Sequence, residues 1–315
     1  MKAVVTGATG FVGRELLKQL DEPIVLSRNA AKAKATLGSG VRVFEWNPLA
    51  EPAPAEAFAG ADAVFHLAGE PVAEGRWTPA KKKLLMASRT TGTANLVRGL
   101  EAAGNPRPPV LVSASAIGYY GSRGDETLTE SAAPANDFLA QICIGWEREA
   151  AAAERLGMRV AMARIGIVLG RGGALQKMLL PFKLGLGGRL GAGKQWMSWV
   201  HVDDIVGMFL HAATHADVRG PYNAVGPTPV TNTDFTKALG RVLHRPTLFP
   251  APPFALRVAL GEFAEVLLGS QRCIPTVMQN TGYRFRFDTV DKALADAVVA
   301  LPVKAGAAAR ESAHA

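Results

Sequence analysis

The stretch "KAVVTGATGFVG" at the amino terminus narrows the possible folds more than any other part of the chain. An apolar, β-branched run ends in Gly7, Gly10 and Gly13, spaced GxxGxxG, and leads straight into the helix-like "GRELLKQL". A strand, a glycine turn and a helix in that order open a dinucleotide-binding unit. The first glycine permits the tight turn, the second lets backbone approach a pyrophosphate, and the third allows close helix-to-strand packing, while the helix amino terminus favours the anion.

The first half of the chain continues the alternation. "PIVLS", "VRVFEW", "DAVFHLAG", "PPVLVSAS" and "MRVAMARIG" read as strands, separated by "NAAKAKATL", a long helix near 80–103 and another near 138–156. This predicts right-handed βαβ units and a parallel sheet covered on both faces, an α/β Rossmann-type doubly wound fold. After about residue 170, glycine-rich loops and proline clusters such as "FPAPPF" take over. The change predicts a Rossmann domain over 1–170 and a smaller carboxyl-terminal substrate lobe over 171–301, with one more strand of the first domain near 221–226. Residues 302–315 lack apolar periodicity and are expected to be disordered.

Composition excludes several classes. Of 315 residues, 48% are hydrophobic and 20% charged, enough for a large core. No apolar run reaches the roughly 18 residues of a membrane span, so a cytoplasmic protein without a membrane partner is expected. Cys143 and Cys273 lie in apolar contexts without metal-ligand spacing, which predicts buried, reduced thiols and no metal site. Lysine and arginine number 35 against 27 acids, a formal charge of +8. The basic residues read as scattered, which argues against a nucleic-acid partner, and a few of them suffice for an anionic small molecule.

The second strand ends in Ser27 and Arg28, where an NAD-preferring protein would place an acid for the ribose 2′-hydroxyl. An arginine pairs instead with a 2′-phosphate, a charge-assisted bond worth about 1.5–3 kcal/mol, so NADP(H) is expected over NAD(H). "GRLGAGK", 188–194, has the spacing of a triphosphate loop, but Gln195 replaces the magnesium-binding serine or threonine. That region reads either as a lid with Lys194, Gln195, Trp196 and Trp199 as contacts, or as plain packing of the second lobe. Asp203 is the expected cap of the helix after "WVHVDD". Glu70, beside Arg76 and Trp77, is either an acid or base or part of a salt-bridged loop.

The glycine loop together with "HLAG", "VSASAIGYYG" and "WVHVDD" resembles the extended short-chain dehydrogenase/reductase superfamily, which includes sugar-nucleotide epimerases and dehydratases. Longer motifs, "HLAGEPVAEGRW", "FLAQICIGWE", "RIGIVLGRGGAL" and "GGRLGAGKQWMSWVHVDD", are similar to its atypical epimerase-family proteins, some labelled cell-division inhibitors. The resemblance implies that Gly7, Thr9, Gly10, Phe11 and Val12 line the pyrophosphate, with Arg28 at the adenosine phosphate. It also implies that Leu67, Ala68 and Gly69 run beside the cofactor ribose, with Glu70 near its far end.

One part of the superfamily pattern is missing. A tyrosine and a lysine normally stand four residues apart on one helix, and the phenol exchanges a proton with substrate while hydride moves. Aligned on Glu147, those positions hold Leu139 and Cys143, and no YxxxK occurs anywhere in the chain. Ser115 aligns with the superfamily's substrate-polarising serine and Tyr120 with the tyrosine of its "YG" turn. Ser115 either donates to substrate or caps strand-end backbone. Two functions are therefore expected: an atypical NADP(H)-dependent reductase or epimerase on an unidentified small molecule, or a non-catalytic NADP(H)-binding regulatory or interaction protein linked to cell division.

Overall fold

The computed structural model describes residues 1–38 and 40–299. Seven strands form one parallel sheet: β1 Lys2–Thr6, β2 Glu22–Ser27, β3 Arg42–Glu45, β4 Ala63–His66, β5 Val110–Ala116, β6 Arg159–Ile165 and β7 Gly220–Ala224. Their order is β7-β6-β5-β4-β1-β2-β3, with every neighbouring pair parallel. Both faces of the sheet are covered, which is why these strands read as nearly unbroken apolar runs. Side chains still alternate. Val5, Phe65, Val112 and Ala163 enter one core cluster, and Val4, Val64, Leu111 and Met162 the other.

Helices α1 Phe11–Leu17, α2 Ala30–Leu37, α3 Pro79–Ala102 and α4 Phe138–Ala151 follow the first, second, fourth and fifth strands. Their starts are written locally. Thr78 accepts the amide of Lys81 ahead of a proline in the first turn of α3, and Asp137 accepts the amide of Ala140 ahead of α4. Leu96 and Leu100 of α3 and Ala150 of α4 pack on one sheet face.

Beyond Gly170 the chain divides its path between the lobes. After α5 Gly173–Lys183, helix α6 Val202–Thr214 returns to the sheet and buries Ile205, Met208, Phe209 and Ala212 beside Val5 and Phe65. It starts earlier than expected, so His201 and not Asp203 is its cap: His201 Nδ1 accepts the amide of Asp203 at 3.2 Å. Asp203 lies in the first turn and pairs with Arg286 at 2.7 Å. At the other end, Arg159 of β6 donates to the carbonyls of Ala212, Ala213 and Val218, satisfying backbone that α6 leaves open. The second lobe is built from α5, α7 Asn232–Leu243 and a last helix, Val290–Val299, around Leu175, Phe182, Trp199, Phe235 and Leu294, while α8 Pro253–Leu260 adds nothing to that core. The tail expected at 302–315 lies outside the described residues. No helix among the described residues is long and apolar enough to cross a membrane.

Candidate functional site

The sheet order reverses between β1 and β4, and open α/β sheets take their ligands beyond the strand carboxyl ends at such a point. Two loops border the crevice here, residues 7–10 after β1 and 67–70 after β4. Gly7 has φ +70°, and a Cβ on it would stand 2.7 Å from the carbonyl carbon of Leu67. A Cβ on Gly13 would meet Ala8 Cα at 2.8 Å. The first and third glycines are thus required by packing. Gly10 differs: a Cβ there would meet Gly7 O alone, at 3.1 Å, and the residue is exposed with Thr9, which leaves room for a ligand to approach, although the Gly10 amide itself donates to Gly7 O. Val12 packs on the sheet core, and the Phe11 ring lies against Gly170, Gly172 and Gly173. Because α1 has seven residues, an anion placed here would meet this loop more than a helix dipole.

Beneath the crevice, Thr6 Oγ1 accepts the amides of Leu67 and Ala68, each at 3.1 Å. Its own proton then goes to His66 Nδ1 at 2.8 Å, which puts the imidazole proton on Nε2, donated to Thr93 at 2.9 Å. Burial pushes His66 down to about 4, so the ring is neutral. This chain of bonds fixes the 67–70 loop on β1, and nothing in the sequence marked it.

At the end of β2, Ser27 turns its hydroxyl to local backbone at Asn29. Arg28 is exposed and makes no ion pair among the described residues, while the nearby Glu45 carboxylate accepts the amide of Ala30.

The opposite end of the crevice holds more charge. Glu70 pairs with Lys81 at 2.6 Å, both largely shielded, so of its two expected roles the salt-bridged one is seen. Behind Gly69 lies Arg89 of α3, 9% exposed. Its Nη1 donates to the carbonyls of Glu70 and Leu85, and its guanidinium stands 5.0 Å from the Trp146 ring centroid. It has no carboxylate partner, and its Nε and Nη2 no hydrogen-bond partner, among the described residues. A Cβ on Gly69 would come within 3.3 Å of Nη2, so glycine keeps those donors uncovered. An arginine inside a long helix looks solvated in sequence, and no local signal singles this one out.

Leu139 and Cys143 pack under the turn Ile117–Tyr120, near the position of a Cβ on Gly118. Burial pushes the Cys143 thiol up to about 12, which removes it as a nucleophile. Ser115 donates to Glu147 Oε1 at 2.7 Å, and Glu147 is held by Arg164 through two bonds of 2.8 Å. Tyr120 is fully buried. Its hydroxyl donates to Asn223 at 2.7 Å and accepts from Arg164 at 2.9 Å, so no proton is free for chemistry and the catalytic expectation for it has no geometric support. Arg164 reads as part of an apolar strand, yet it joins β5, α4, β6 and β7 through this network.

The region expected to be a lid or packing shows packing at three positions. Gln195 donates to Leu190 O, Trp196 to Asp125, and the fully buried Trp199 to Thr228 O, whereas Lys194 is exposed. Both cysteines are unpaired and buried.

Comparison with known proteins gives two matches along the chain: the NAD dependent epimerase/dehydratase family over residues 3–225, and a domain of unknown function, DUF1731, over residues 251–297. An epimerase family protein of Mycobacterium bovis is 38% identical over 295 residues, spanning 92% of this chain and 95% of its own. The chloroplastic SDR39U1 homolog of Arabidopsis thaliana is 39% identical over 299 residues, spanning 93% and 86%. The crystal structure of the human epimerase family protein SDR39U1 (isoform 2) with NADPH superposes with a TM-score of 0.85 at 32% identity, covering 96% of this chain and all of that one.

Proposed function

Because the chain belongs to the NAD dependent epimerase/dehydratase family, we propose that its sheet crevice holds NADP(H) and that the protein is an atypical reductase or epimerase for a small molecule in the cytoplasm. Two unpaired thiols fit such a reducing compartment.

Arg89 carries the reading. Its Nη1 is spent on two carbonyls, while Nε and Nη2 meet no acceptor among the described residues and are not sealed from solvent, so they are free to take a ligand oxygen. Set beside Gly69, the guanidinium gives from α3 the fixed positive charge that the superfamily's lysine gives from the helix where this chain has Cys143. The room left at Gly10 fits the approach of a pyrophosphate, and Arg28, without an ion pair among the described residues, fits a 2′-phosphate, in keeping with NADPH in the human relative. When bound, the nicotinamide exchanges hydride with a substrate carbon. Ser115, its proton on Glu147, offers oxygen lone pairs to a substrate hydroxyl, and it polarises a substrate carbonyl only by turning away from Glu147. Leu139 and Cys143 supply neither phenol nor amine, and this favours the second reading, a non-catalytic NADP(H)-binding regulatory protein.

The test is equilibrium binding of NADPH and NADH to nucleotide-stripped protein, followed by nicotinamide fluorescence. NADPH is expected to bind at least about tenfold more tightly, with Arg28→Ala erasing the preference. Arg89→Gln should weaken both by about tenfold or more and leave adenosine 2′,5′-bisphosphate, which lacks the nicotinamide half, unaffected. If the unaltered protein binds neither nucleotide, the reading falls. Turnover on a panel of carbonyl and sugar-nucleotide substrates then separates enzyme from sensor.

A further inference from the structure

The formal charge of +8 is not scattered. Residues 171–202 and 235–261 contain nine lysines and arginines and no aspartate or glutamate, so the remaining chain holds 26 basic residues against 27 acids. These two segments form α5, the loop after it, and α7 through α8, and they are neighbours in space: Gly191 donates to Ala251 O, Ala251 to Arg189 O, and Arg245 to Lys183 O. Only Arg241 and Arg257 of the nine are ion-paired among the described residues, with Asp291 and Glu265.

The same segments carry exposed apolar side chains. Leu180 and Leu184 stand one turn apart at the end of α5, Phe254 and Val258 one turn apart on α8, and Leu186, Leu248 and Phe249 lie between, each 57–75% exposed. Helix α8 buries none of its residues. Beside Leu248 and Phe249, a shallow hollow is lined by Lys237, Arg241, His244 and Arg245. Large apolar groups beside basic ones, seven of the nine without an ion pair among the described residues, are the chemistry of a face that lies on lipid: the apolar groups enter the acyl boundary and the cations meet phosphates.

We propose that this face docks the protein on an anionic membrane surface. The expectation of no membrane partner rested on the lack of a spanning run, which surface docking does not need. Charge complementarity favours lipid over a second copy of the chain, whose equally basic face would repel this one.

The test is flotation of the full chain with vesicles of phosphatidylcholine alone or with roughly a third phosphatidylglycerol. Binding at least about tenfold stronger to the anionic vesicles, and reduced by salt, is expected. Arg245→Gln should weaken it about fivefold, and Leu248→Glu with Phe249→Glu should abolish it. The substituted side chains are exposed, so an unchanged thermal transition verifies folding. Equal binding to both vesicles, binding to neither, or a solution dimer dissolved by the Leu248 and Phe249 changes would overturn the proposal. Binding to an acidic protein without binding to anionic vesicles would do the same.

Discussion

Glu147 shows how a residue adjacent to a site can be held for the fold. Its carboxylate receives two bonds from Arg164 and one from Ser115, and the Arg164 side chain is 3% exposed. Replacing it by Glu147→Gln leaves a guanidinium buried without its counter-charge, so a loss of about 3–5 kcal/mol in unfolding free energy is expected from urea denaturation. A loss under about 1 kcal/mol would mean that water or another carboxylate reaches Arg164. Arg89 has a related burial with the opposite meaning: Glu70 acts on it at a distance, but no carboxylate bonds it among the described residues, so its neutral replacement should disturb ligand binding more than folding. In sequence the two arginines could be told apart only in part. A charge inside "MRVAMARIG" signals that a partner must exist, whereas one inside "MASRTTGTANLV" looks like any solvated helix position.

The strands and most helices were legible because each obeys a local rule. Buried parallel strands read as apolar runs, and α3 and α4 carry their caps in sequence. The glycine loop was legible for the same reason, since its turn, its open backbone and its packing glycine occupy adjacent positions. What depended on contacts between distant elements was not readable: the Thr6–His66–Thr93 chain and the returning α6; the His201 cap is local, and was missed because an aspartate two residues on is the commoner cap. The first of these links β1 to β4 and α3 and makes a prediction about acid. The folded His66 is depressed from 6.5 to about 4, so the unfolded chain takes the proton first. The contribution is fully present above pH 6.5 and is lost as pH falls through about 4, amounting to roughly 3 kcal/mol. Burial shifts His201 and His211 in the same direction. Urea unfolding followed across this window should show the decline, and His66→Gln should flatten it. An unchanged slope in that variant would assign the decline elsewhere.

At the scale of the molecule, the two lobes are not consecutive in the chain. The sheet needs α6 and β7, residues 202–224, to cover Val5 and Phe65 and to supply Asn223 to Tyr120. The second lobe reaches back as well. Arg76 donates to Val258 O, Lys82 pairs with Glu262, and Lys177 donates to Ala73 O, so the loop after β4 is tied to α5 and α8. Residues 1–170 expressed alone keep α1 on that face but lose α6, and should therefore lack a cooperative thermal transition and bind an apolar dye, as a sheet with a face only part covered does. A sharp transition in that fragment would show that α6 is dispensable. The late arrival of α6 also bears on how the protein is made. For as long as the ribosome has yet to release residues 202–224, the finished strands before them hang from it with part of one greasy side uncovered, and each round of translation offers that part to chaperones and to stray strands before the chain can close over it.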